Sequence, residues 1–448
     1  MKENTKITSL KALAEDLVDY GKRQGADEIE VSVADGTEFS VDVRMGSIES
    51  LVEAGSRIAG IKVIKDKKTA FASSSDMSRI TLKKIIRNAV QRASLGHPDE
   101  FSGLPPAVKN PDEGVDLSIW DSAIAELDAK TKIDLALETE KIALEDRRIT
   151  NSHGAGFETK QITSILANSN GFLGDYQETF CSLGVGLQAG ETDNRVEDSW
   201  TSSVVHYKDL ETPETVAKKA VQRTVRQLNP KKTKTQRVPV IFEPTMTSWL
   251  LGFIFSCVSG VAVYQKASFL AEKLGKNIAS PLLTIVDNGR IKGKLGTKPF
   301  DSEGVPTRNT TIIDRGRLKS FLCNTYAGRK LGLASTGNAD GNGVGPNNFY
   351  LLPGATAPEE MISSTDRGLL LIRTIGHGLN PVTGEISRGA FGLWIERGEI
   401  VYPVSEITIS GNLEQVLKDI SLVGNDLEFR SMFSGPTIKI GELTVAGT

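Results

Sequence analysis

Histidine and cysteine are scarce in this chain, with four and three among 448 residues. His97, His153, His206 and His377 stand far apart, so no helix can present two imidazoles to one metal ion. Cys181, Cys257 and Cys323 are odd in number and match no C-x-x-C spacing. That excludes a zinc ribbon or a disulfide framework and fits free thiols in a reducing compartment. There is no Gly-x-Ser-x-Gly elbow. No apolar stretch follows Met1-Lys2-Glu3-Asn4-Thr5-Lys6, so a secretory signal is not expected and the cytoplasm is. An excess of charge is also lacking. The net charge of -3 gives no basic surplus for nucleic acid, and the dense Lys231-Lys232-Thr233-Lys234 run reads as a solvated linker. Charge is missing altogether from Pro244 to Gln265. Thr245, Ser248, Gly252, Ser256 and Gly260 dilute the apolar residues there, so the segment is expected to be a buried helix rather than a membrane span.

What is present is patterned. The length predicts two or three domains. Leu10, Leu13, Leu17 and Val18 have helical spacing, closed by Gly21 and Gly25. Ile29, Val31 and Val33 alternate, as do Phe39, Val41 and Val43, and Asp35-Gly36 between them reads as a turn joining two strands. A helix through Leu82, Ile86, Ala89 and Val90 stops at Gly96. The proline-rich stretch from His97 to Ser118, with Pro98, Pro105, Pro106 and Pro111, reads as a linker. The grammar then repeats: a helix carries Ile133, Leu137 and Leu144, strands follow, and Ala220-Val221-Gln222-Arg223 echoes Ala89-Val90-Gln91-Arg92. Each echo follows a serine pair, Ser73-Ser74 and Ser202-Ser203.

From about Val238 one phrase occurs three times, as Ile285–Ile291, Ile312–Leu318 and Trp394–Ile400, each with glycine where a tight hairpin needs positive φ. Pro403 in the last return strand predicts an edge or a bulge. Gly341-Asn342-Gly343-Val344-Gly345 lacks a Walker lysine and reads as a mobile surface loop. Asp301 and Glu303 flank a turn and read as solvated, turn-forming acids. The fold class expected is α+β. Two N-terminal units of mixed helices and antiparallel strands (1–96 and 120–230) precede a mainly antiparallel-sheet C-terminal domain (236–448) with a buried helix.

The stretch from Gly376 to Leu413, a glycine-rich loop running into a hairpin, closely resembles the C-terminal domain of the TldD/PmbA family, in its PmbA (TldE) branch. Phe300-Asp301-Ser302-Glu303-Gly304-Val305-Pro306-Thr307 and the ending Gly435-Pro436-Thr437-Ile438 … Leu443–Thr448 carry the same resemblance. The catalytic branch resembles a zinc peptidase with a His-Glu-x-x-x-His helix. Counting back from the family-like Ala279-Ser280-Pro281 places that hexad at Leu251–Ser256, where this chain reads Leu-Gly-Phe-Ile-Phe-Ser. No cysteine follows Cys323 to complete a metal site.

The resemblance therefore implies a chain without metal or catalytic residues of its own, inactive alone. Its implied partner is a TldD-like catalytic paralogue that holds the zinc, or a second copy of itself, and the substrate is unfolded peptide. Neither nucleic acid nor membrane is implied, although family members have been named gyrase modulators. The alternatives are a self-associating peptide-binding scaffold and, further off, an independent serine or cysteine hydrolase. His377 and Asn380 in the glycine-rich loop, Arg388 beyond it, and Asn338 in the family-like Ser335-Thr336-Gly337-Asn338 are the candidate peptide- or partner-binding residues. For Arg388 two readings stand open: a carboxylate ligand or a pairing with a neighbouring acid.

Overall fold

The computed structural model describes residues 2–107, 115–191 and 194–447. Pro111 of the expected linker lies outside them. The first helix–strand group comprises α1 (Lys2–Arg23), β1 (Glu28–Arg44), β2 (Ser47–Lys65), β3 (Lys68–Ser74) and α2 (Arg79–Leu95). The second comprises α3 (Ser122–Glu126), α4 (Ala129–Leu144), β4 (Ile149–Asn168), β5 (Leu173–Ala189), β6 (Val196–Val204) and α5 (Pro213–Val225). Their strands form one antiparallel six-stranded sheet in the order β3-β2-β1-β4-β5-β6, so each group runs outward from the β1/β4 seam. The echoed tetrads begin equivalent turns: Ala89 of α2 and Ala220 of α5 are both fully buried against the sheet. Ser78 caps α2 and Thr212 caps α5, each accepting a backbone N–H of the first turn. The serine pairs lie on β3 and β6, the two outer strands.

Asp35-Gly36 is not a turn. β1 runs unbroken for 17 residues because its odd positions from Ile29 to Val43, all but Thr37, are buried on one face. Asp35 is held by Lys6 and Arg57. Gly36 answers to proximity: a Cβ there would come within 2.8 Å of the Gln161 carbonyl on β4. The odd face of β1 packs on α1 and α2 at one end and on α4 and α5 at the other. The even face, with Glu30, Ser32 and Ala34, carries no helix and turns toward the C-terminal domain.

That domain begins with β7 (Gln236–Phe242), α6 (Pro244–Val258) and α7 (Gly260–Tyr264). The uncharged run is thus two helices, broken at Ser259, whose backbone is extended (ψ 123°). At about 1.5 Å per residue, neither is long enough to cross a membrane, and no other described helix is both long and apolar enough. Next come β8 (Ile285–Asn288), β9 (Asn309–Asp314), β10 (Arg317–Leu318), α8 (Thr325–Leu331), β11 (Ala339–Asp340), β12 (Gly343–Val344) and β13 (Phe349–Leu351). The chain ends with α9 (Pro358–Ser363), β14 (Arg367–Ile375), β15 (Glu385–Glu396), β16 (Glu399–Asn412), α10 (Leu413–Lys418), β17 (Ile420–Val423), β18 (Phe433–Ser434) and β19 (Ile438–Ala446). β16-β15-β14-β7-β19 closes on itself through a β16–β19 pairing, and β17 extends β19. Most pairings are antiparallel; β7–β14 and β13–β18 are parallel. The fold is α+β, as the sequence implied.

Two of the three repeated phrases are tight hairpins, with positive φ at Arg315-Gly316 and at Arg397-Gly398. The first is not. β8 pairs with β9 and β13, and Gly289 is small because a Cβ would meet Thr307 at 2.4 Å. Bulges flank Pro403 on both sides, as expected of proline within a strand. Gly341-Asn342 is the two-residue tip of the β11–β12 hairpin rather than a free loop.

Candidate functional site

α6 starts at Pro244, whose missing N–H costs nothing at a first helical position. Glu243 just before it accepts from Arg223 and Arg226 at 2.8 Å each, tying α5 to the head of α6. Leu250, Leu251, Phe253, Ile254 and Cys257 face the core. Trp249, Gly252, Phe255 and Ser256 form a half-buried stripe on the other side. The Ser248 and Ser256 hydroxyls donate to carbonyls of their own helix, at 2.9 and 2.6 Å. Phe255 stacks edge-on against Phe349 and Phe433. A zinc ion finds no fit here. Three of the six side chains from Leu251 to Ser256 point into the core, and the single heteroatom among them already donates to backbone.

Thiol chemistry fares no better. All three cysteines are buried, and burial pushes Cys181 and Cys257 up to about 12 and Cys323 to about 11, so none is a thiolate at neutral pH.

The four candidate residues fall into different settings. Arg388 reaches the α6 stripe: its guanidinium lies 5.0 Å from the Trp249 ring centre, and its Nε has no hydrogen-bond partner. No acid pairs with it among the described residues, and burial pulls its pKa down. The His377 loop lies alongside, since Ser387 N donates to Gly378 O at 2.8 Å. Gly378 must be glycine: it has φ +152°, and a Cβ would strike the Ser387 carbonyl at 1.8 Å. His377 itself is exposed at the tip. Asn380 shapes that loop, its Oδ1 accepting from Val382 N and Thr383 N. Asn338 belongs elsewhere. Fully buried, it donates from Nδ2 to Asp287 Oδ2 at 2.7 Å, beside Asn347, and braces a carboxylate raised by burial.

Asp301 and Glu303 are buried rather than solvated, at 2% and 4% exposure. Asp301 accepts from the backbone N–H groups of Glu303, Val305 and Ala339, so it organises the turn from inside. Burial nevertheless lifts it to about 7. Glu303 accepts from Thr325 N at 2.8 Å and pairs with Lys62 of β2 at 3.4 Å. Sequence reasoning passed over Lys62 and its neighbour Glu30. Their signal is parity: both are charged residues on the inward, even face of alternating strands.

Comparison with known proteins matches the whole architecture. Residues 29–93, 123–228 and 235–447 fit family models described as PmbA/TldA metallopeptidase domain 1, central domain and C-terminal domain. Metalloprotease PmbA of Escherichia coli O157:H7 is 35% identical over 428 residues, 95% of this chain and 93% of the relative. A solved structure from Bacteroides thetaiotaomicron, described as a candidate modulator of DNA gyrase, superposes with a TM-score of 0.91 at 27% identity, covering 100% of both chains. TldE from Thermococcus kodakarensis shares the fold, with a TM-score of 0.88 at 24% identity over 97% of this chain and 100% of that one. This chain belongs to the PmbA/TldD metallopeptidase family.

Proposed function

We propose that the chain is a non-catalytic, PmbA/TldE-like subunit of a protease acting on unfolded peptides, with a TldD-like paralogue supplying zinc, general base and metal-activated water. One observation carries this reading. The hexad Leu251–Ser256 offers no group that can bind metal or carry a proton at neutral pH, and the stripe it helps form is flanked by an unpaired Arg388 on Trp249. An arginine so placed suits a peptide carboxylate or an acidic partner side chain. His377 and Asn380 lie on the loop beside it; Asn338 acts at a distance, as a brace.

The outer edge of β2 supports the same reading. β3 pairs only with Ala59–Lys65, leaving Ser47–Ile58 open on that side, with Ile48, Leu51, Val52 and Ile58 about half exposed. An open edge accepts another extended backbone irrespective of side chains. A second copy could also take that edge, which is the self-associating alternative. Co-expression with the TldD-like paralogue, followed by peptidase assay of each chain alone and of the mixture, tests the proposal. Activity is expected only in the mixture; robust cleavage by this chain alone overturns it. Gly252→Trp, which fills the stripe where a Cβ meets nothing within 4 Å, is expected to lower the mixture's activity without unfolding the subunit.

A further inference from the structure

A cavity of about 360 Å³ lies where the even face of the N-terminal sheet meets the C-terminal domain, away from the α6 stripe. Its walls combine apolar surface from Ile58, Phe71, Leu166 and Phe300 with the Glu30 carboxyl, and the Gly341-Asn342 hairpin tip covers one side. Ile58 and Phe71 are about half exposed and mark the mouth. Glu30 is 92% buried, and its Oε2 has no hydrogen-bond partner.

The surrounding charges are unbalanced. Glu30 comes from β1, Lys62 from β2, and Asp301 and Glu303 from the turn after β8; Tyr176 and Glu178 come from β5, and Asp340 from β11. Lys62 is committed to Glu303. Asp301 already accepts three backbone N–H groups, and Glu303 accepts Thr325 N. Glu178 faces Lys298 and Asp340 is exposed to solvent, so among the buried acids Glu30, Asp301 and Glu303 only Glu30 keeps an oxygen without a hydrogen-bond partner. One free carboxylate is too few for a divalent cation, and no metal-holding group of acids, histidines and cysteines occurs among the described residues. A monovalent organic cation needs one counter-ion and an apolar wall for its chain.

We propose that this cavity binds a primary ammonium group at the end of a short aliphatic chain, with Glu30 as its counter-ion and Phe71 and Phe300 against the methylenes. This goes beyond the subunit reading and does not rest on it. Burial, with the Glu303 and Asp301 charges adding to it, raises Glu30 to about 8 despite Lys62, so the group carries a proton at neutral pH. As the ammonium enters, the Glu30 O–H bond breaks, the proton passes to solvent, and the carboxylate pairs with the cation.

Calorimetric titration of the full chain with 1-aminopentane, in buffers of differing ionisation enthalpy, tests this. The expected result is release of about one proton per ligand bound at pH 7 and an affinity rising about tenfold from pH 6 to pH 7. 1-Pentanol should bind at least about tenfold more weakly. Glu30→Gln mimics the protonated carboxyl and should fold normally, yet lose the proton release and about tenfold or more in affinity. Phe71→Ala, at the mouth, should weaken the aminopentane complex and spare the proton release. Binding of acetyl-lysine methylamide as well would assign the site to a lysine side chain of a peptide; binding of the free amine alone would assign it to a small-molecule amine. No binding of aminopentane up to roughly 10 mM, equal binding of pentanol, or undiminished binding by Glu30→Gln overturns the proposal.

Discussion

The α6 stripe and the Glu30 cavity differ in how they treat charge. Along the stripe, the hexad Leu251–Ser256 is apolar apart from a serine that donates to its own helix. The cavity is the reverse: three carboxylates sit within a buried seam, two of them titrating near neutrality. Burial alone therefore does not mark chemistry. Asp301 is as hidden as any catalytic acid and is occupied with backbone N–H groups, whereas Glu30 has an oxygen free. What separates them is unmet bonding capacity, and on the stripe that capacity belongs to Arg388.

Substitutions can break this contrast. The largest effect is expected at Asp301. Asp301→Ala strands three buried backbone donors and should cost about 3–5 kcal/mol, read as a lower denaturation midpoint in guanidinium. Glu30 comes next, and its effect depends on pH. Its folded pKa of about 8 lies above the model value of 4.5, so the folded state binds more protons between them. Its contribution is fully present below about pH 4.5 and is lost as pH rises through 8. Glu30→Gln should therefore match the parent near pH 4.5 and exceed its stability by several kcal/mol, in order of magnitude, near pH 8.5. Parallel guanidinium titrations at both pH values check this; a constant difference would remove Glu30 from the account.

On the stripe the effects are smaller. Gly252 has open space where a Cβ would stand, so Gly252→Ala should stabilise the chain by about 0.5–1 kcal/mol through helix propensity. A loss would mean the stripe is packed rather than open. Arg388→Ala should cost no more than about 1 kcal/mol, the worth of a half-exposed cation–π contact. It should nevertheless reduce peptide cleavage by the mixed subunits, measured as a change in KM.

Much of the fold is legible in the chain. The echoed Ala-Val-Gln-Arg tetrads foretell α2 and α5 closing equivalent halves of a sheet, and Arg397-Gly398 foretells its hairpin. The failures share one cause, that a residue's neighbours in space are absent from its neighbours in sequence. Asp35-Gly36 looks like a turn until β4 is seen pressing on Gly36, although the unbroken parity from Ile29 to Val43 was the available signal. Gly289 mimics the hairpin glycines but yields to Thr307. Asp301 and Glu303 look solvated because the sheet that buries them comes from the other end of the chain. Asn338 sits in a family-like loop, and only the fold shows that its side chain is buried and donates to Asp287. Glu30 and Lys62 needed both the parity of their strands and the knowledge of which face lacks helices.

Metal analysis joined to a peptidase assay tests the central account most directly: the purified chain, its TldD-like paralogue and their mixture are each assayed for bound zinc and for cleavage of an unfolded peptide. The account requires substoichiometric zinc and no cleavage for this chain alone, with activity in the mixture that a chelator abolishes. One tightly held zinc per chain, accompanied by chelator-sensitive cleavage without the paralogue, would contradict it.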